Sequence, residues 1–252
     1  MRLLARERIA WISLGPAALP PCVACIRAGD DRRSGLGRGL RHCRAGGTGK
    51  SSFAIWLTAQ VTRRTLPGSL TRRGVIYVAV EDSWKFTIVP RLMAAGADLD
   101  RAYRAEVRTA QDDTVSLSLP ADNKELEAVT GQHAIAMVVL DPLMSAIGDT
   151  LDTHVNRQVR QALDPLARMA DRTGAVVLGI AHSSKSAGTD ASSLITASGA
   201  FKDVARCIFA FATDPQDDTQ VITQTKNSLG RSNLPACPPA RVTGLPVVSG
   251  RS

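Results

Sequence analysis

Three short apolar runs, each closed by a polar residue, constrain this chain most. They are GVIYVAVE from Gly74 to Glu81, IAMVVL from Ile135 to Leu140 followed by Asp141, and AVVLGIA from Ala175 to Ala181 followed by His182. Runs that are apolar at nearly every position, rather than every second one, belong to strands covered on both faces. Helical patterns lie between them. Ser51–Arg63 places Phe53, Trp56, Leu57 and Val61 on one face, and Trp84–Ala95 is ended by Gly96. Asp122 can cap a helix running to about Thr130. An amphipathic stretch from Val155 to Asp171 is closed by Gly174, with Pro165 expected to kink or break it. Weaker patterns predict a strand at Tyr103–Val107, a helix at Leu194–Val204, and strands at Cys207–Thr213 and Gln220–Thr225. This alternation predicts an α/β fold, a mostly parallel sheet flanked by helices. In such sheets ligands sit at the carboxyl ends of the strands. Glu81, Asp141, His182 and Lys226 each directly follow an apolar run, and four such placements in one chain are hard to assign to chance.

Residues 44–52 read RAGGTGKSS. Gly46, Gly47, Thr48, Gly49, Lys50 and Ser51 match most of the phosphate-binding pattern GxxxxGK[ST], with Ser52 next in line. The glycines let backbone N–H groups turn inward around phosphate oxygens, and the helix that follows adds its positive end. Lys50 supplies a point charge, and Ser51 a hydroxyl for Mg²⁺. The pattern departs at its first position, where Arg44 replaces glycine. Asp141, closing IAMVVL, has the form of a Walker B acid that orders water on that Mg²⁺. Glu81 can orient and deprotonate an attacking water, with the adjacent Asp82 as rival. His182 can sense a terminal phosphate through a hydrogen bond.

Charge enters the argument through its distribution. Of the net +8, residues 1–45 contribute +6 through nine Arg against Glu7, Asp30 and Asp31, so the body is nearly neutral. The basic balance is therefore a weak pointer to nucleic acid. The loops around Asp149–Asn156 and Ser183–Ser193 hold one Lys and one His between them, a weak footing for phosphate-backbone binding. Aromatics at 4% do not suggest base-stacking platforms. Cys22 and Cys25 form a CxxC with no second pair, which argues against zinc and for free thiols in a reducing cytoplasm. Pro16, Pro20 and Pro21 interrupt the uncharged stretch Ile9–Ile26, which argues against a signal peptide or membrane anchor. Residues 1–45 are expected to be an irregular basic segment, residues 46–233 a single domain, and residues 234–252 an irregular tail.

Together these residues resemble the RecA-like P-loop ATPases, in particular AAA-family ATPases of the plasmid hexameric replicative helicase type and their phage and actinobacterial relatives. GGTGKSS resembles the Walker A loop, VIYVAVEDS the strand carrying the catalytic Glu, VVLDPL the Walker B strand, and GIAHSSK the sensor His segment. The stretch Thr87–Arg101, TIVPRLMAAGADLDR, also resembles this family. The resemblance implies a RecA-like fold, ATP and Mg²⁺ as ligands, a ring of identical subunits such as a hexamer, DNA as partner, and a role in replication. It gives Glu81, Asp141 and His182 the roles already described. It also makes QTKNSLGR a region of basic fingers acting on a neighbour's site, with Lys226 and Arg231 as candidates and Arg206 in KDVARCIF as a third. The family has a hydrophobic strand ending in the first P-loop Gly. Residues 12–45 lack one and read like a frameshifted region, so that N-terminal strand is expected to be missing from the sheet. The residues also admit a truncated or non-catalytic ATP-binding relic or regulator, and a P-loop kinase of small molecules, though no Arg-rich lid stands out after Gly46.

Overall fold

The computed structural model describes residues 3–4, 23–28, 49–66, 73–108, 114–181, 199–213, 220–228 and 240–241. In chain order the strands are β1 (Leu3–Leu4), β2 (Val23–Ala28), β3 (Gly74–Ala79), β4 (Ala102–Ala105), β5 (Val107–Arg108), β6 (Thr114–Val115), β7 (Ile135–Asp141), β8 (Val176–Ile180), β9 (Cys207–Thr213), β10 (Gln220–Asn227) and β11 (Ala240–Arg241). The α-helices are α1 (Lys50–Arg63), α2 (Val89–Ala94), α3 (Asn123–Gln132), α4 (Asn156–Thr173) and α5 (Ala200–Val204).

One sheet runs in the order β1-β4-β3-β7-β8-β2-β9-β10-β11, and β5 pairs with β6 in a small hairpin. Within the large sheet every pairing along the order from β1 to β9 is parallel, while β10 and β11 are antiparallel additions at the edge. The centre is built from the expected apolar runs. Val75, Ile76 and Tyr77 in β3, Val138, Val139 and Leu140 in β7, and Val177 and Ile180 in β8 are all completely buried. Each such side chain contributes about 1.5–3 kcal/mol of burial. Helix α1 packs on β3, β7, β8 and β2 through a face that includes Ala54, Ile55 and Ala59. The sheet-and-helix α/β architecture is the one that the alternating pattern predicts.

Several local expectations need correction. The sheet does not lack a central strand: Val23–Ala28, from the segment expected to be irregular, fills the slot between β8 and β9. Two parallel neighbours supply its ladder, and this tertiary pairing outweighs an unpromising local sequence. Pro165 does not interrupt α4, which runs unbroken to Thr173. The carbonyl it leaves without an N–H partner belongs to Gln161, on the exposed face, where it is open to solvent and its loss of a helical bond costs least. Asp122 precedes α3 but makes no side-chain cap. Its carboxylate instead accepts from the Ser118 N–H at 2.7 Å. The stretch after Ser83 is a π-helical turn, Trp84–Ile88, before α2 begins. Among the described residues no helix is long and apolar enough to cross a membrane.

Candidate functional site

Gly49 has a left-handed backbone, φ 84°, immediately before α1, a conformation that glycine adopts without the penalty a side chain incurs. Its carbonyl accepts the first helical bond, from the Phe53 N–H at 2.8 Å. Lys50, the first helical residue, is only 6% exposed, and no acidic residue lies in the first turn. A cation at the positive end of a helix dipole, beside the backbone N–H groups of the first turn, suits an anion. The residues present therefore fit a phosphate group. One turn on, Phe53 packs against Phe211 near the carboxyl end of β9, ring centroids 5.4 Å apart. The start of α1 is thereby brought to the carboxyl edge of the sheet. Gly46, Gly47 and Thr48 lie outside the described residues, and Ser51 and Ser52 are half-buried in the first turn of α1.

Two acids stand at that same edge. Asp141 is the last residue of β7, and Glu81 lies two residues beyond β3. The strands are tied together at this point, since the Val80 N–H donates to the Asp141 carbonyl at 3.2 Å. Glu81 is exposed, whereas Asp82 faces Arg91 of α2 at 3.6 Å in an ion pair. The two neighbouring acids thus occupy different environments: Asp82 has a cation beside it, and Glu81 is accessible at the mouth of the site. A cavity of about 370 Å³ adjoins the turn, with Val80, Asp82, Trp84, Lys85, Arg104 and Glu106 among its lining residues.

One partner of Asp141 escapes sequence reasoning. The Tyr77 hydroxyl donates to Asp141 Oδ2 at 2.7 Å. Tyr77 is completely buried, and its phenol is pushed well above its ordinary range, first by burial, then by the Asp141 charge and the hydrogen bond to it. It is therefore a protonated donor at any physiological pH. Trp84 packs edge-on against the Tyr77 ring, centroids 6.2 Å apart and planes at 87°. No sequence motif marks Tyr77, because a tyrosine inside an apolar run reads as core.

A model of the AAA domain matches residues 43–188. The match is more than half of the chain and spans Lys50, Glu81, Asp141 and His182.

This chain belongs to the AAA domain family.

No curated protein matches it. The chain is accordingly a P-loop ATPase domain, whose general chemistry is nucleotide binding and ATP hydrolysis. His182 follows Ala181, which is buried just past β8, and lies outside the described residues. The basic candidates fall beyond the matched segment. Arg231 is also outside the described residues, while Arg206 is exposed immediately before β9. Lys226 is in register with Ile208 at the start of β9, and the Ser228 N–H donates to the Arg206 carbonyl at 2.8 Å. Arg206 and Lys226 therefore share the amino end of β9. The Lys226 ammonium donates to the carbonyls of Lys202 and Asp203 at 2.7 and 3.2 Å, on the last turn of α5. The structure thus brings Gly49, Lys50, Glu81 and Asp141 to the carboxyl edge of the sheet. It leaves Arg206 and Lys226 at the opposite edge, a strand length of roughly 20 Å away.

Proposed function

We propose that this domain hydrolyses ATP with Mg²⁺ at the interface between copies of itself, in a ring-forming, helicase-type ATPase that acts on DNA. The shared interface rests on the resemblance of the finger segment. The separation just described supports it to this extent: Arg206 and Lys226 lie about a strand length from their own chain's phosphate cradle and do not serve it, so any contact they make with phosphate is with a neighbour's. The helicase type and the DNA partner rest on the resemblance of the Walker and finger segments.

Within the site the roles divide by environment. Lys50 and the glycine turn Gly46–Gly49, with Ser51 and Ser52, hold the phosphates. Ser51 and Asp141 hold Mg²⁺, which when bound neutralises charge developing on the transferring phosphoryl group. Glu81 orients and deprotonates the attacking water. Asp82 is the lesser candidate, because its carboxylate faces Arg91 at 3.6 Å and is turned toward that partner, whereas Glu81 is exposed. His182 contacts the terminal phosphate.

The test is a pair of variants measured for nucleotide binding and for turnover. Lys50→Ala should lose several kcal/mol of phosphate interaction and all measurable hydrolysis. Glu81→Gln should keep ATP·Mg²⁺ binding and lose hydrolysis, while Asp82→Asn should retain most of its rate. Near-normal turnover in Lys50→Ala refutes the phosphate site. Normal turnover in Glu81→Gln moves the base elsewhere.

A further inference from the structure

We propose that Tyr77 is a positioning residue for Asp141: its hydroxyl holds the carboxylate in the orientation that receives Mg²⁺ together with the nucleotide. This rests on the reading of Asp141 as the metal-side acid.

The register shows how the contact is made. Tyr77 is paired with Val139, and Ala79 with Asp141. Successive side chains alternate across a strand, so Tyr77, Ala79, Val139 and Asp141 all stand on one face of the sheet. Tyr77 and Asp141 are diagonal neighbours, too far apart for two short side chains but within reach of a tyrosine. The residue directly opposite Asp141 is Ala79, whose single methyl leaves the diagonal open. A larger residue there would stand between the phenol and the carboxylate.

The contact matters because a carboxylate's terminal torsion is broad and roughly two-fold. An aspartate at a strand end can therefore present its oxygens over a wide range of angles. A hydrogen bond from a completely buried ring on a paired strand removes that freedom. The ring is itself held, with Trp84 packed edge-on against it. Trp84 follows the Glu81–Asp82 turn by two residues, so one tyrosine touches the metal-side acid through its hydroxyl and, through its ring, the tryptophan just beyond the water-side turn. Partners that orient metal-binding carboxylates commonly change metal affinity by about 10–100-fold when removed.

The decisive variant is Tyr77→Phe, which keeps the ring and its Trp84 contact and deletes only the hydroxyl. Binding of a fluorescent ATP analogue is measured without Mg²⁺ and across a Mg²⁺ titration, alongside the melting temperature. Wild type and Asp141→Asn serve as references. The expected result is unchanged affinity without Mg²⁺ and a Mg²⁺ midpoint raised roughly tenfold, in the direction of Asp141→Asn. If Asp141→Asn shifts the midpoint and Tyr77→Phe does not, the positioning role is overturned while the metal role of Asp141 stands. If Asp141→Asn leaves the midpoint unmoved, the reading of Asp141 falls and the inference with it. If Tyr77→Phe melts early and loses the analogue equally with and without Mg²⁺, the hydroxyl serves the fold, and the proposal is likewise overturned.

Discussion

Gly179, the last residue but one of β8, is in register with Leu140 and buried. A Cβ added there would lie 2.7 Å from Leu143 Cδ2 and 3.3 Å from Leu143 Cβ and Cγ. Leu143 is completely buried, and its N–H donates to the Ile180 carbonyl at 2.8 Å. Its backbone is therefore pinned to β8 itself. A rotamer change can move Cγ and Cδ2, though only within a packed core, and Cβ can yield only by a backbone shift. Overpacking of this kind costs about 1–3 kcal/mol. Alanine recovers about 0.4–1 kcal/mol by restricting the unfolded chain. Gly179→Ala should therefore lose about 1–2 kcal/mol, a fall of about 2–8 °C in melting temperature for a domain of this size. Leu143→Ala alone should cost about 2–5 kcal/mol through the cavity it opens. In the double variant the new methyl enters that cavity, so the loss should be smaller than the sum of the two by about 1 kcal/mol or more. Urea and thermal unfolding followed by circular dichroism measure all four corners of the cycle. A Gly179→Ala chain that melts at or above wild type, or a strictly additive double variant, refutes the argument that this glycine exists to admit Leu143 beneath the Asp141 turn.

Mixing wild-type chains with an Arg206→Ala/Lys226→Ala/Arg231→Ala variant should depress ATPase activity more than dilution alone, since each defective finger disables a neighbour's intact site. Proportional loss, or full activity from a monomer by light scattering, removes the ring. Arg172 donates through Nε and Nη2 to both carboxylate oxygens of Glu127, at 2.6 and 2.5 Å, and this fork holds the Glu127 carboxyl below its ordinary value. A lowered carboxyl pKa stabilises the fold above the unfolded value, about 4.3, and the gain vanishes as pH falls through the folded value. Glu127→Gln should thus melt slightly earlier than wild type at pH 7, by at most about 2 °C for so exposed a pair, and this difference should disappear in acid once the Glu127 carboxyl is protonated. An equal difference at pH 7 and in acid would show that the pair contributes by packing and not by charge.

The strands that carry the sheet centre are legible because burial on both faces leaves an unbroken apolar run, a signal that needs no knowledge of neighbours. β3, β7 and β8 are of this kind, and their observed ends differ from the pattern by two residues at most. β2 has no such signal. VACIRA follows Pro20-Pro21 and leads into an Arg- and Gly-rich stretch, and its stability comes from β8 and β9, both more than 140 residues further on. Pro165 misleads in the opposite direction. The local rule that proline ends a helix holds where the freed carbonyl is buried, and exposure cannot be read from a single residue.

The placement of the glycine turn and of the two edge acids is legible for a related reason, since each is fixed by the segment that contains it. Gly49 and Lys50 begin a helix, and Asp141 and Glu81 close apolar runs. What distinguishes Glu81 from Asp82 is not local, because it depends on Arg91, nine residues past Asp82 and on the next helix. The Lys226 contacts depend on α5, across a strand and a turn. Tyr77 is the extreme case. Its partner lies 64 residues away, and the hydroxyl finds the carboxylate only because β3 and β7 pair in one particular register with an alanine opposite the acid. A slip of one residue would turn Tyr77 and Asp141 to opposite faces of the sheet. The register of two buried strands therefore decides whether Tyr77 reaches Asp141, and on the proposed reading of Asp141 as the metal-side acid, substitutions at Ala79 that leave both residues intact should still raise the Mg²⁺ midpoint.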